Sequence, residues 1–183
     1  MIIAIYGNYG VGKDTFADFL IEALKEEYDE PTEKIKSYTT RKKRYEEEDT
    51  HTFITKKEWE KIPESKILAQ TKINNEYYGT TINQFIYTFN IYVVDKKGVS
   101  DLIKAKQNKK IKDSLFIVKI TRPESLIQID NKRRNRNIAY YDLSDQELEK
   151  MTMYKVDNTG SLEELQKTAI FLTKILPYFK LIE

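Results

Sequence analysis

The chain has 183 residues, 40% of them hydrophobic and none of them cysteine, so it can build a core without disulfides and offers no thiolate cluster or thiol nucleophile. Its 31 basic and 29 acidic residues leave a net charge of +2, which argues against a polyanionic partner and leaves phosphate recognition to local clusters. No apolar run is long enough to span a bilayer, and IIAIY running into a glycine loop is unlike a signal peptide, so no membrane partner and a cytoplasmic location are expected.

Ile2 to Tyr6 is a short apolar, β-branched run that predicts a buried parallel strand. Asp14 to Tyr28 follows with helical spacing, placing Phe16, Phe19, Leu20, Ala23 and Leu24 on one face. Further strands are expected at Lys34–Tyr38, Ile91–Asp95, Leu115–Thr121 and Met153–Asp157, with helices at Lys97–Lys106 and Glu124–Arg133. A last helix, Ser161–Leu176, opens on a capping box of Ser161 and Glu164. This alternation reads as an α/β fold around a parallel sheet. Tyr38 to Phe89 breaks the rhythm with a charged loop, THTFIT, KKEWEKI, ILAQTKI and EYYGTT. The expectation is a single domain, 1–183, carrying a small mixed subdomain inserted at about 38–89, with Trp59 in that subdomain's core.

Between the first strand and helix stands GNYGVGKDT, in which Gly7, four residues, Gly12 and Lys13 match a phosphate-binding loop. Glycines there let successive backbone N–H groups turn towards an anion, and the helix N-terminus adds partial positive charge. Gly7, Asn8, Tyr9, Gly10, Val11, Gly12, Lys13, Asp14 and Thr15 are therefore expected to bind ATP, with Lys13 over the β- and γ-phosphates. The loop departs from pattern at Asp14, where a serine or threonine hydroxyl usually holds magnesium. Asp14 is either a helix-end charge or a magnesium ligand, direct or through water. Thr15 comes one position late for the hydroxyl role.

SYTTRKKR places Arg41 and Arg44 three apart, a pairing able to grip a terminal phosphate. On spacing alone this reads better as a charged surface loop whose EEED offsets RKKR. GNYGVGKDT, SYTTRKKR, THTFITKKEWEK, NNEYYGTT and VVDKKGV, in this order, resemble the guanylate kinase family over roughly residues 1–99. The resemblance implies a P-loop NTPase fold, a three-layer α/β/α sandwich with a monophosphate-binding insert and a short lid at about 130–142. It implies phosphorylation of GMP or dGMP with ATP and Mg2+. By motif, Arg41, Arg44 and Tyr78 would bind the acceptor phosphate, Ser37 and Thr80 the base, and Asp95 the base or magnesium.

Three departures stand out. His51, the single histidine, replaces the family's phosphate-binding tyrosine, and either donates to phosphate or lies exposed. The guanine-reading glutamate is missing; its place falls on Ala69, beside Gln70. The arginine-rich lid shrinks to KRRNRN, so a catalytic arginine is expected among Arg133, Arg134 and Arg136. GKDT and DNTGSLEEL resemble, more loosely, phage-type deoxynucleoside monophosphate kinases, which leaves other or broader base specificity as an alternative. A non-catalytic guanylate-kinase-like binding module is another, and interleaved acids disfavour nucleic acid. Asp157 and Asn158 are either turn residues or neighbours of the ATP adenine. The partner expected is the monophosphate substrate, bound to a monomer or homodimer.

Overall fold

The computed structural model describes residues 1–133 and 146–179. Its centre is β1 (Ile2–Tyr6), every residue of which is buried, as the apolar run requires. The partners of β1 are β7 (Phe89–Val93) and β8 (Leu115–Thr121), with Ile3 opposite Ile91 and Phe116. β2 (Thr32–Lys34) and β9 (Tyr154–Asp157) are the outer strands, giving a five-stranded sheet in the order β2-β7-β1-β8-β9 with every pairing parallel.

Alternation along β1 sorts the core into two layers. Ile3 and Ile5 face α1 (Lys13–Tyr28) and α6 (Leu162–Ile175), packing with Phe16, Leu20, Leu24, Leu165 and Leu172. Ile2, Ala4 and Tyr6 face the other way, against Val99 and Leu102 of α3 (Lys96–Gln107) and Leu148 of α5 (Gln146–Met151). Each large side chain buried in this way stabilises the fold by about 1.5–3 kcal/mol relative to exposure. The helices end where local chemistry ends them. Asp29 turns left-handed after α1, and Ser161 with Glu164 forms the expected capping box of α6. α4 (Glu124–Arg133) contributes Ile127 to the first layer.

A second sheet, in the order β4-β3-β6-β5, is built from β3 (Tyr38–Thr39), β4 (Thr52–Phe53), β5 (Ile67–Ile73) and β6 (Glu76–Thr81). β5 and β6 form a hairpin whose turn residues, Asn74 and Asn75, both have positive φ, as a two-residue turn matched to strand twist requires. α2 (Lys56–Glu60) opens on a second capping box, Thr55 with Glu58, and buries Trp59 against the Tyr77 ring. The expected strand Lys34–Tyr38 is corrected: it divides into β2 of the large sheet and β3 of the small one. The chain crosses between sheets at Ile35–Ser37, where Ile35 still donates to Ile91 but Ser37 already accepts from Thr52. The strand expected at Ile91–Asp95 starts two residues earlier and stops at Val93, because Asp95 caps α3.

Candidate functional site

The loop from Gly7 to Gly12 leaves the carboxyl end of β1, the sheet edge where ligands of open α/β folds bind. Gly7 has φ 154°, and a Cβ there would lie 2.2 Å from the Ile120 carbonyl oxygen, so β8 itself demands glycine. Gly12 precedes α1 with φ 93°, and no side chain caps the helix behind it. The first N–H groups of α1 are thus left for an external anion.

Lys13 turns back across the loop, its Nζ donating to the carbonyl oxygens of Gly7 at 3.0 Å and Asn8 at 2.8 Å. Burial pushes the Lys13 pKa down, while the charges of Asp14 and Asp95 oppose that. Asn158, just after β9, supports the loop from behind by donating Nδ2 to the Val11 carbonyl at 2.9 Å. Its own N–H bonds to Thr121, which locks the side chain in place. The expectation had offered an adenine contact or a turn; the contact made is with the loop.

Asp14 lies exposed on the first turn of α1, and its Oδ1 sits 2.9 Å from Lys34 Nζ on β2. Burial lowers the Lys34 pKa, but Asp14 and Asp18 together outweigh it and hold the ammonium firmly charged. Thr15 is exposed beside Asp14. Asp95 has a structural task, since its Oδ1 accepts from Gly98 N at 2.7 Å and from Thr71 Oγ1 at 3.1 Å. Among the described residues no group of three carboxylates or histidines gathers around one point. That still fits magnesium, which usually takes one or two carboxylates and fills its shell with substrate phosphates and water. Asp14 and Asp95 are the carboxylates on hand.

The arginine loop is organised by a residue that the sequence concealed. Glu48, one acid of the EEED run, is only 2% exposed and receives both terminal nitrogens of Arg41, at 2.9 and 2.6 Å. It also accepts from Arg44 N at 2.7 Å and Thr50 Oγ1 at 3.0 Å. The Arg41 bonds hold the Glu48 carboxyl far below the usual carboxylate range. Arg41 lies over the Phe53 ring, and its Nε is buried with no hydrogen bond made. His51 receives or donates at Nδ1 with Ser37 Oγ, 2.8 Å away, and stands edge-on to Tyr78 at 5.7 Å. Burial, then the Arg41 charge, holds its pKa below the ordinary value.

These parts open on two adjoining cavities. The smaller, about 320 Å³, is bounded by Lys13, Ser37, Ala69, Gln70, Tyr78 and Asp95. The larger, about 930 Å³, has walls from Asp14, Lys34, Arg41, Arg44 and Glu48. Tyr9, Ser37 and His51 line both. The smaller cavity therefore joins the Gly7–Lys13 loop to the small sheet, with Ala69 and not a carboxylate on its β5 wall and Asp95 on the wall from the large sheet. Gln70 is tied by its backbone, N to Asp101 and O to Lys97. Thr80 is fully buried and lines neither cavity, so its side chain is not brought to the others. Arg133 closes α4, while Arg134 and Arg136 lie outside the described residues. Lys34, Lys36 and Glu48 were missed as site residues. Lys34 ends β2 and Lys36 lies in the crossing to β3, neither within a motif, and only Glu48's burial distinguishes it from its neighbours.

The family model described as guanylate kinase matches residues 1–138. Among solved structures, a guanylate kinase from Anaplasma phagocytophilum is 18% identical, with 97% of this chain and 85% of that one covered and a TM-score of 0.61. A sugar kinase from Janibacter sp. is 12% identical over 97% of this chain and 96% of its own, at a TM-score of 0.41. None of the curated proteins matches the chain.

Proposed function

Because the chain belongs to the guanylate kinase family, we propose that it is a nucleoside monophosphate kinase transferring the γ-phosphate of ATP to GMP or dGMP. One observation carries the reading: Lys13 lines the smaller cavity and Arg41 and Arg44 the larger, and Tyr9, Ser37 and His51 line both. A donor phosphate on the first and an acceptor phosphate on the second are then neighbours, and phosphoryl transfer is mostly a matter of such placement.

The chain's own groups divide the work. Backbone N–H groups of the loop and α1 would hold the β-phosphate, and Lys13 would exchange two carbonyl oxygens for phosphate oxygens. Arg41, steadied by Glu48, would present its buried Nε to the acceptor phosphate, with Arg44 and Tyr78 alongside. Ser37 and Gln70 would meet the base. Bound magnesium would supply charge between the phosphates, and Asp14 is the carboxylate adjoining the loop that suits it.

The substrate panel tests the reading: ATP against the common ribo- and deoxyribonucleoside monophosphates, scored by ADP formation. GMP and dGMP should be phosphorylated, but with weak discrimination. Guanine offers N–H donors that a carboxylate reads well, and Ala69 supplies none. The missing charged hydrogen bond is worth about 1.5–3 kcal/mol, so discrimination against other bases should be roughly ten- to a hundredfold weaker than a glutamate would give. A pyrimidine or adenine preference overturns the base assignment and keeps the kinase. Failure with every monophosphate leaves a binding module.

Asp14→Ala should raise the magnesium concentration for half-maximal activity by roughly severalfold, because a charged oxygen ligand is lost. Activity titrated against free magnesium checks this. An unchanged titration with a lower melting temperature reduces Asp14 to its ion pair with Lys34.

A further inference from the structure

The single histidine of the chain lines both cavities. His51 is half-buried at the junction of the two cavities, pinned at Nδ1 by Ser37 Oγ and wedged edge-on between Tyr78 and Phe53. Its Nε2 takes no hydrogen-bond partner among the described residues. A hydroxyl is an apt anchor for a titrating ring. It donates to the neutral imidazole's bare nitrogen and accepts from the cationic ring's N–H, so the ring keeps its position in both states.

Resting on the kinase reading above, we propose that binding of the acceptor monophosphate is proton-linked through His51. The ring takes a proton from solvent as the phosphate arrives, Nδ1–H donating to Ser37 and Nε2–H to a phosphate oxygen.

The surrounding charges set the sign. From its own loop His51 faces Arg41 and Arg44, which disfavour a third cation, and Glu48, which favours one but is already occupied by Arg41. From β6 it faces the Tyr78 phenol ring, from β4 the Phe53 ring, and across the cavity stand Lys13 and Asp95. Without ligand, burial and the arginines keep the ring neutral near pH 7. A phosphate dianion adds two negative charges and an acceptor beside it, which raises the pKa again. Between the free and bound values, binding absorbs a proton, and affinity strengthens as pH falls. The phosphate has its own second ionisation near pH 6, which works in the opposite direction, so a non-titrating reference is needed.

That reference is His51→Gln, whose amide N–H reaches the Nε2 position without titrating. His51→Asn instead reproduces the Nδ1 end and removes the distal donor. Calorimetry with GMP, in two buffers of different ionisation heat, measures both affinity and proton uptake between pH 5.5 and 8. The wild type should take up protons that His51→Gln does not, and His51→Asn should bind about tenfold more weakly near pH 6.5, the loss of one charged hydrogen bond. With guanosine, which lacks the phosphate, the difference should vanish. A second readout needs no mutant: in untagged 15N-histidine protein one imidazole gives the whole signal, and saturating GMP should raise its titration midpoint. GMP that binds while the midpoint stays still, or parallel pH profiles for wild type and His51→Gln, overturns the proposal alone. If GMP and every other monophosphate of the panel fail to bind, this proposal falls together with the kinase assignment.

Discussion

Lys13→Ala should cut the rate of phosphoryl transfer by about a thousandfold while leaving the fold intact. Electrostatic donors aimed at developing charge are worth about 10²–10³ in turnover when removed singly, and the reacting phosphates here gather more charge than one oxyanion. The ammonium is held over the loop by two carbonyl oxygens, and among the described residues no carboxylate comes close enough to form an ion pair with it, so it is available to phosphate. Among the described residues its removal breaks those two hydrogen bonds, whereas the buried face of α1 is untouched. Single-turnover rates with ATP and GMP, alongside circular dichroism, give the answer. A folded variant that turns over within tenfold of the wild type ends the assignment of Lys13.

Arg41→Ala should weaken monophosphate binding by roughly a hundredfold and leave ATP binding within a factor of two. A charged hydrogen bond accounts for about 1.5–3 kcal/mol of this, and the rest comes from the loop. Without the guanidinium, buried Glu48 keeps only the Arg44 N–H and the Thr50 hydroxyl, and the loop loses its central tie. Arg41→Lys should not rescue binding, because one ammonium cannot serve both Glu48 oxygens and a phosphate together. Titrations of each variant with GMP and with ATP separate the outcomes. Equal losses for the two nucleotides contradict an acceptor-side role.

The parts of the molecule that obey local rules were readable in the sequence. β1, β8 and α4 follow from apolar runs and helical spacing, and each lies where those signals end. The Ile35–Ser37 crossing was not readable, because a continuous extended stretch looks the same whether it pairs in one sheet or two. In the site, the Gly7–Lys13 loop announced itself through spacing. Glu48 did not, since a run of four acids gives no sign of which one is buried. Asp95 shows the same limit from the other side. Its motif pointed to ligand binding, while its position one residue ahead of a helix marks it as a cap. Thr80, assigned by motif to the base, shares the strand face of cavity-lining Tyr78 but is fully buried two residues further along β6.

The placement of Trp59 has a practical consequence. It is the single tryptophan of the chain, and its indole lies flat against Tyr77 in the small sheet, 5.8 Å between centroids. Tyr38 of the adjoining strand is its other aromatic neighbour. Intrinsic fluorescence excited selectively in the indole is therefore a local gauge, sensitive to one sheet of two. Far-ultraviolet dichroism is dominated by the helices around the other sheet. Recording both signals through a single thermal scan resolves whether the small sheet melts with the large one or ahead of it, a distinction that an averaged melting temperature erases.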